Sequence, residues 1–476
     1  MRLSASTLSH ARPTVLRPAY DRLALQHGIV HLGLGAFHRA HQAWYTEQVL
    51  QGGDLRWGIV GASLNSTATR DALVPQDGLY TLAIQQGEEE SLRVIGALGS
   101  VLGGAADLPA LMQHLCARGT RIVSLTLTEK GYYLDAASGS LRLDAPEIAA
   151  DLASPHSPRT APGLIVEALR QRRAQGLMPF TVLSCDNLSA NGDRTRDAVL
   201  AYARVAAPTL VDWIAAEVAF PNSMVDRITP ATTDAERARI AAQTGLDDAW
   251  PVVTERFSQW VVEDRFPQGR PQWEIAGVVF SDDIHAWETM KLRCLNGAHS
   301  TIAYLGQLAG HETVADTMAD PRIAEKVNGL WNEIVPTLKV PQGADPTAYI
   351  DSLRSRFANT ALRHRTAQIA MDGSQKLPPR LLAPLRQRLA AGQPSPSLEG
   401  AVAAWMAFVA RAATRAETLN DPLAPRITEA ARGTSGVERV RSLLGIREIF
   451  SEDLLQSAAL VERLSTAVQG IERDAA

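Results

Sequence analysis

Cysteine is scarce in this chain of 476 residues: Cys116, Cys185 and Cys294 are the only three, and they stand far apart. Scattered thiols build neither a disulfide framework nor a metal-ligand cluster, and they suit a reducing compartment. An excess of either charge is also missing, with 47 basic against 51 acidic residues and a net charge of -4. That balance argues against a broad basic surface for nucleic acid and against an acidic tail. No apolar run approaches the ~18 residues of a membrane span. Residues 1–7 lack the continuous apolar core of a signal peptide. The expectation is a cytoplasmic protein that meets neither membrane nor nucleic acid. Internal repeats and low-complexity tracts are absent too. What is present, 46% hydrophobic and 21% charged residues, is the make-up of an ordinary globular protein. Its length calls for two or three domains.

The first part of the chain alternates strand-like and helix-like segments. An apolar run leads into Gly33, then Gly35, Ala36, Phe37, His38 and Arg39, and residues 42–50 read as helix. Two glycines at a strand-to-helix turn let the backbone approach a pyrophosphate, which the helix N-terminus attracts. These six residues are therefore the candidate cofactor contacts. The usual fingerprint has a third glycine where His38 stands, so a tight turn without ligand is the alternative. A second strand over 57–61 at βαβ distance favours the nucleotide. His38 and His41 are close enough for a metal pair, but with no third ligand nearby, capping or phosphate contact suits them better. After the second strand an acidic residue is expected to hold the adenosine ribose. Asn65, Ser66 and Thr67 stand there instead, so NAD and NADP both stay open.

Further strands are predicted over 92–97, 121–128 and 180–187. Helices are predicted after Asp107, which caps one with Pro109 in its first turn, and over 164–175. The strand over 180–187 ends in Cys185, Asp186 and Asn187, and the carboxyl ends of strands are where open α/β sheets bind ligands. The alternation predicts a doubly wound, mainly parallel, Rossmann-like α/β sheet. Residues 220–230 hold two prolines and the pair Asp226–Arg227, and read as a polar loop, with a salt-bridged surface turn as the plain alternative. From His285 onward strand signals nearly vanish. Ala- and Leu-rich helical segments follow, broken at Pro341, Pro378–Pro379, Pro394, Pro422 and Pro425. The expected organisation is a dinucleotide-binding domain over 1–284 and a mainly α-helical catalytic and substrate domain over 285–476.

That second domain opens on a helical stretch carrying Lys291, Asn296, Gly297, Ala298 and His299. At about 100° per residue, Lys291, His299 and Asn296 point to roughly 0°, 80° and 140°, one side of the helix. They supply a titratable amine, a neutral amide donor and an imidazole. These groups can take a proton from an alcohol and hold the oxygen left behind. The plain alternative is an amphipathic helix whose lysine reaches solvent and whose Asn and His make caps.

Together these pieces resemble the polyol-specific long-chain dehydrogenases, the mannitol dehydrogenase family, which includes mannitol 2-dehydrogenases and fructuronate reductases (D-mannonate oxidoreductases). The matching stretches are 29–42, 124–132, 184–187, 220–227 and the Lys291/Asn296/His299 helix, in the family's order. The resemblance implies a metal-independent enzyme using NAD(H) or sometimes NADP(H). It implies a base role for Lys291, oxyanion contact for Asn296 and Asn187, and substrate positioning for His299. Asp226 matches a family aspartate that helps tune the lysine and move protons. A free lysine titrates near ~10.4, so burial must depress it, a shift that a nearby Asp226 opposes. Two other classes are weighed: a non-catalytic NAD-binding regulator, and a metal-dependent sugar isomerase or lyase using His38, His41, His299 and Asp226.

Residues 363–376 carry Arg363, His364, Arg365 and Lys376, which as a bare pattern is a solvated basic helix face. The stretch resembles the fructuronate reductase branch more closely than the mannitol branch. An arginine fork there would bind a substrate carboxylate. Arg365, His364 and Lys376 are the candidate substrate contacts, and spacing leaves open which of residues 363–365 faces the cleft. The expected reaction is reduction of D-fructuronate to D-mannonate. Mannitol/fructose or another polyol pair is the alternative.

Overall fold

A computed structural model of the chain describes residues 1–135, 139–361, 363–432 and 436–474. Two compact units emerge, Met1–His285 and Ala286–Ala476. The strands are β1 (Ile29–Leu32), β2 (Ile59–Ser63), β3 (Tyr80–Gln86), β4 (Glu89–Ile95), β5 (Leu98–Gly103) and β6 (Ile122–Leu125). They continue with β7 (Thr181–Ser184), β8 (Ser223–Asp226), β9 (Val252–Glu255), β10 (Gln259–Val262) and β11 (Val279–Phe280).

Five of them form a sheet of order β5-β2-β1-β6-β7, parallel throughout. Its strands are apolar on both faces because both faces are covered. Along β1, β2 and β6, Ile29, Ile59 and Ile122 enter one buried cluster, while Val30, Val60 and Val123 enter the other. The strand order reverses between β1 and β6, and that switch point opens the crevice where such sheets take a dinucleotide.

Two expectations about this unit are corrected. The strand predicted over 92–97 forms, but β4 pairs antiparallel with β3 and outside the parallel sheet, and β9 joins β3 in parallel. The two-residue connection, with Gly87 at φ +58°, allows a hairpin and no parallel crossover. Residues 220–230 are not a surface loop. Their centre is β8, buried at every position and antiparallel to β10. The Arg227 guanidinium is buried as well and donates to the carbonyls of Ala40 and Glu255. Asp107 does stand at the N-cap of Leu108–Leu115, but its carboxylate accepts from the Gly103 N–H and from Arg70 in place of the helix amides.

The second unit is helical among its described residues. Its long helix Pro396–Arg415 buries every residue from Ala401 to Ala407, as a helix enclosed on all sides must. It packs against Gly297–Ala309 and Ala458–Asp474. Pro378 and Pro379 do not break the chain into separate helices. Gly373–Leu377 runs on through a π-helical segment, Pro378–Leu382, into Ala383–Ala390. Prolines lack the N–H of the ordinary ladder and crowd the preceding turn, and a widened turn absorbs both defects. No helix among the described residues is long and apolar enough to cross a membrane.

Candidate active site

Two groups of residues, one in each unit, carry the candidate chemistry. In the first unit β1 ends at Gly33, which is held at φ +99°; a Cβ there would come within 2.1 Å of the Thr126 carbonyl oxygen. Gly33 is therefore required by the protein's own packing. Gly35 is different, with φ -98°, open to any residue, and its nearest neighbour to an added Cβ is the Gly33 carbonyl at 3.8 Å. Packing within the chain gives no reason for glycine at 35. A ligand backed against that main chain does, so the turn at the switch point fits a dinucleotide.

The helix after it, Ala36–Ala40, places the remaining cofactor candidates unevenly. Ala36 and Phe37 lie at its start and are partly buried. His38 is sealed, its ring stacked on His31 with centroids 3.4 Å apart. Burial, and then His31, hold His38 far below the ordinary imidazole range, so it is a neutral group of the interior. Arg39 points inward: its guanidinium donates to the Trp250 carbonyl and lies over the Tyr80 ring. A phosphate contact expected of Arg39 thus has no side chain to make it, because the guanidinium is already spent on the core.

Asn187 follows β7 and is exposed at the carboxyl end of the sheet. The residue before it, expected only as part of a polar strand end, has a definite task. The Asp186 carboxylate accepts from the backbone N–H groups of Leu127 and Thr128, both at 2.9 Å, and from the Tyr132 hydroxyl at 2.6 Å. Burial raises its pKa and those three donors oppose the rise. Asn191 ties the same strand end to β8, donating to the Asp186 and Ser223 carbonyls. Asn187 and the strand that carries buried Asp226 are therefore held in one hydrogen-bonded frame. The signal for Asp186 lay beside Asn187 in the sequence, but which partners it would hold depends on β6 lying next to β7.

In the second unit the Lys291 stretch is not a regular α-helix. Lys291–Asn296 is π-helical and Gly297–Ala309 continues as α-helix. The Gly297 N–H reaches back to the Leu292 carbonyl, one residue further than an α-turn allows. Side chains collect carbonyls along the widened segment: Trp331 donates to Cys294 at 2.9 Å and Arg380 to Asn296 at 3.4 Å. The fixed 100° step therefore fails between Lys291 and Asn296. Such π segments recur at functional sites.

Around this segment Lys291 and His299 are buried and Asn296 is half-buried. Asn296 Oδ1 and His299 Nε2, three residues apart, are buried with no hydrogen-bond partner among the described residues. The His299 ring packs on Phe357 at 4.7 Å and meets His364 edge-on at 5.0 Å. His299 is held well below the imidazole range by burial first, then by His364, Arg356, Arg380 and Lys291. His364 is likewise pushed down, to about 4, by burial and by Arg356. Buried Arg356 and part-buried Arg380 were not anticipated. Arg380 does stand four residues after Lys376, one helical turn on.

The basic stretch divides. His364 joins His299, whereas Arg363 and Arg365 are exposed and ion-pair with Glu312 at 3.0 and 3.7 Å. The structure thus does not bring Arg365 into the His299 group. A carboxylate already occupies its guanidinium. Lys376 donates to the Ile369 and Met371 carbonyls, closing its own turn. Among the described residues no group of three His, Cys, Asp or Glu side chains could hold a metal ion.

With this geometry in hand, similarity to known proteins is extensive. The profile of the mannitol dehydrogenase Rossmann domain matches residues 27–275, and that of the mannitol dehydrogenase C-terminal domain matches 283–472. D-mannonate oxidoreductase of Escherichia coli (strain K12) is 44% identical over 471 residues, covering 98% of this chain and 97% of that one. The structure of Pseudomonas fluorescens mannitol 2-dehydrogenase in ternary complex with NAD and D-mannitol is 38% identical, with TM-score 0.84, covering 100% of this chain and 98% of that one. A D-sorbitol dehydrogenase structure in substrate-free form is 33% identical with TM-score 0.93, covering 100% and 99%.

Proposed function

The chain belongs to the mannitol dehydrogenase family, and from that membership we propose that it reduces D-fructuronate to D-mannonate, with Lys291 as the acid–base group. As a member it is an oxidoreductase that acts on a CH–OH group with NAD as cofactor. The observation that carries the sugar-acid reading is the pair of orphaned atoms, Asn296 Oδ1 and His299 Nε2, set among cations. Buried polar atoms without partners call for an explanation, and a polyhydroxyl substrate supplies hydrogen bonds to both. Arg356, Arg380 and Lys291 all bear on His299. A positive surround of that kind suits an anionic substrate better than a neutral one. The 44% identity to D-mannonate oxidoreductase points the same way.

Bound NADH supplies the hydride. In the reduction Lys291 Nζ donates a proton to the carbonyl oxygen as that oxygen gains charge. The Asn296 amide serves as an uncharged donor to that oxygen, and the family resemblance gives Asn187 an oxyanion role as well. His299, kept neutral by burial, orients a neighbouring hydroxyl without adding charge. Asp226 stands at the end of a buried strand, and the family resemblance gives its carboxylate a part in tuning the lysine. In oxidation the roles reverse and neutral Lys291 takes the proton of the secondary alcohol.

The second reading, D-mannitol with D-fructose, is favoured by the 38% identity to mannitol 2-dehydrogenase. A panel of fructuronate, tagaturonate, fructose, xylulose and ribulose, each with NADH and NADPH, decides between them. Fructuronate with NADH is expected to have the highest kcat/KM. Fructose turned over much more efficiently than fructuronate would reject the sugar-acid reading.

A further inference from the structure

The expected carboxylate fork, Arg365, is paired with Glu312 at the surface, yet an arginine does stand beside the catalytic helix. Arg380 lies in the π segment Pro378–Leu382, which packs against Lys291–Asn296 and Gly297–Ala309. Its Nη1 donates to the Asn296 carbonyl at 3.4 Å and to Ser300 Oγ at 3.2 Å. These bonds anchor one edge of the guanidinium to the helix that bears Asn296 and His299. Its Nε and Nη2 make no hydrogen bond to the described residues, and no carboxylate among those residues pairs with it.

Arg293 and Arg388 of this unit also lack a carboxylate partner among the described residues, but they donate to carbonyls and side-chain oxygens of Thr337, Gln387, Glu333, Pro394 and Ser395, whereas other arginines are ion-paired. Arg322 pairs with Asp320, Arg386 with Asp453, Arg463 with Glu399, and Arg363 and Arg365 with Glu312. A half-enclosed guanidinium without a counter-ion is unfavourable, because desolvation is not repaid by an opposite charge. Burial accordingly pulls the Arg380 pKa down to about 10. Lys376, which lies within its field, has an ion-pair partner of its own in Asp372 at 3.9 Å and does not compensate Arg380. Two parallel N–H donors on the outer edge of a guanidinium match the two oxygens of a carboxylate.

We propose that Arg380 is the specificity-determining residue that takes the terminal carboxylate of a sugar-acid substrate, in place of Arg365. The proposal rests on the sugar-acid reading above and names the atom set that enforces it. A neutral ketose or polyol leaves the guanidinium uncompensated and binds less well. A sugar acid supplies the missing counter-ion beside the helix that bears Asn296 and His299.

The test is a substrate-by-variant comparison. Wild type, Arg380→Gln, Arg380→Lys and Arg365→Gln are assayed with fructuronate and with fructose, each with NADH. Arg380→Gln is expected to lower kcat/KM for fructuronate by about a hundredfold, the loss typical of removing one partner from an enclosed charge pair. Fructose turnover should stay within a few fold of wild type. Arg380→Lys keeps the charge and loses the fork, so its loss for fructuronate should be smaller. Arg365→Gln should change neither substrate. Equal losses for both substrates in Arg380→Gln and Arg380→Lys would make Arg380 a support of the helix and overturn the proposal. Unchanged fructuronate kinetics would do the same. Calorimetry of D-mannonate binding to NADH-loaded protein separates this inference from the activity it rests on. If wild type reduces neither ketose, the activity reading fails. Arg380 is then judged by mannonate affinity alone, which must drop in Arg380→Lys for the proposal to stand.

Discussion

Asp186 Oδ1 accepts the backbone N–H of Thr128 at 2.9 Å, and Thr128 is held at φ +65°. A β-branched residue in the left-handed region is strained by about 1–3 kcal/mol. The carboxylate is what keeps it there, with Leu127 N–H and Tyr132 OH on its other oxygen. The loop after β6 is thereby fixed beside the β1 turn at the switch point, and Asn187 is fixed with it. Asp186→Asn replaces one acceptor oxygen by a donor that faces a donor. The expected loss is about 1–3 kcal/mol of stability, read as a lower melting temperature, together with a lower kcat. Thr128→Gly keeps the amide and removes the strain, so its melting temperature should equal or exceed that of wild type.

Lys291 is the only proton-transfer group proposed on the catalytic helix. Lys291→Met is expected to lower kcat by at least about a hundredfold, within the range for loss of a general acid–base group. NADH affinity, followed by fluorescence titration, should be nearly unchanged. Near-normal turnover at neutral pH would remove the lysine from this role.

The two glycines of the β1 turn should fail differently. Gly35→Val is expected to fold normally and to lose NADH affinity severely, since only a ligand needs the open backbone there. Gly33→Ala has both a left-handed φ and the Thr126 carbonyl against it, and should unfold at a lower temperature. A Gly35→Val protein that binds NADH as tightly as wild type would place the pyrophosphate elsewhere.

Acid should destabilise the first unit early. Burial holds His31 down at about 3 and His38 well below the usual 6.5, so the unfolded chain takes up their protons first. Stability present above pH ~6.5 is then lost as pH falls toward the folded-state values, by about 1.4 kcal/mol per pH unit for each histidine. The melting temperature should fall steeply between pH 6.5 and 5. His38→Phe, which keeps the stacked ring and removes the titration, should show a shallower slope.

Chelation should leave the activity intact, because in the proposed mechanism lysine and two amides supply the proton and the oxyanion contacts. Dialysis against EDTA followed by assay with NADH checks this. Activity lost and restored by one divalent ion would revive a metal-dependent mechanism.

Much of this was legible in the chain itself. Strands β1, β2, β6 and β7 announce themselves as short apolar runs bounded by polar or glycine residues, because a strand buried on both faces has no polar side to show. Gly33 and Gly35 follow from the demand for open backbone at a strand-to-helix turn. Lys291, Asn296 and His299 follow from a pattern dense in reactive side chains. β8 was missed because its flanking prolines and the Asp226–Arg227 pair look like a turn. Only the carbonyls of Ala40 and Glu255, far away in sequence, make Arg227 a buried residue.

The sequence by itself determined the fold class, through local periodicity, and the family, through the order of its motifs. It named candidate acid–base and amide groups by residue type at Lys291 and Asn296 and by resemblance at Asn187. Tertiary structure decided which charges are spent and which are spare. Glu312 reaches both Arg363 and Arg365 from some fifty residues away, while no acid among the described residues pairs with Arg380. It also decided that the helix widens at Lys291–Asn296, because a π-turn is held by long-range partners such as Trp331 and Arg380. Pairing across such distances is an outcome of packing, and no spacing along the chain encodes it.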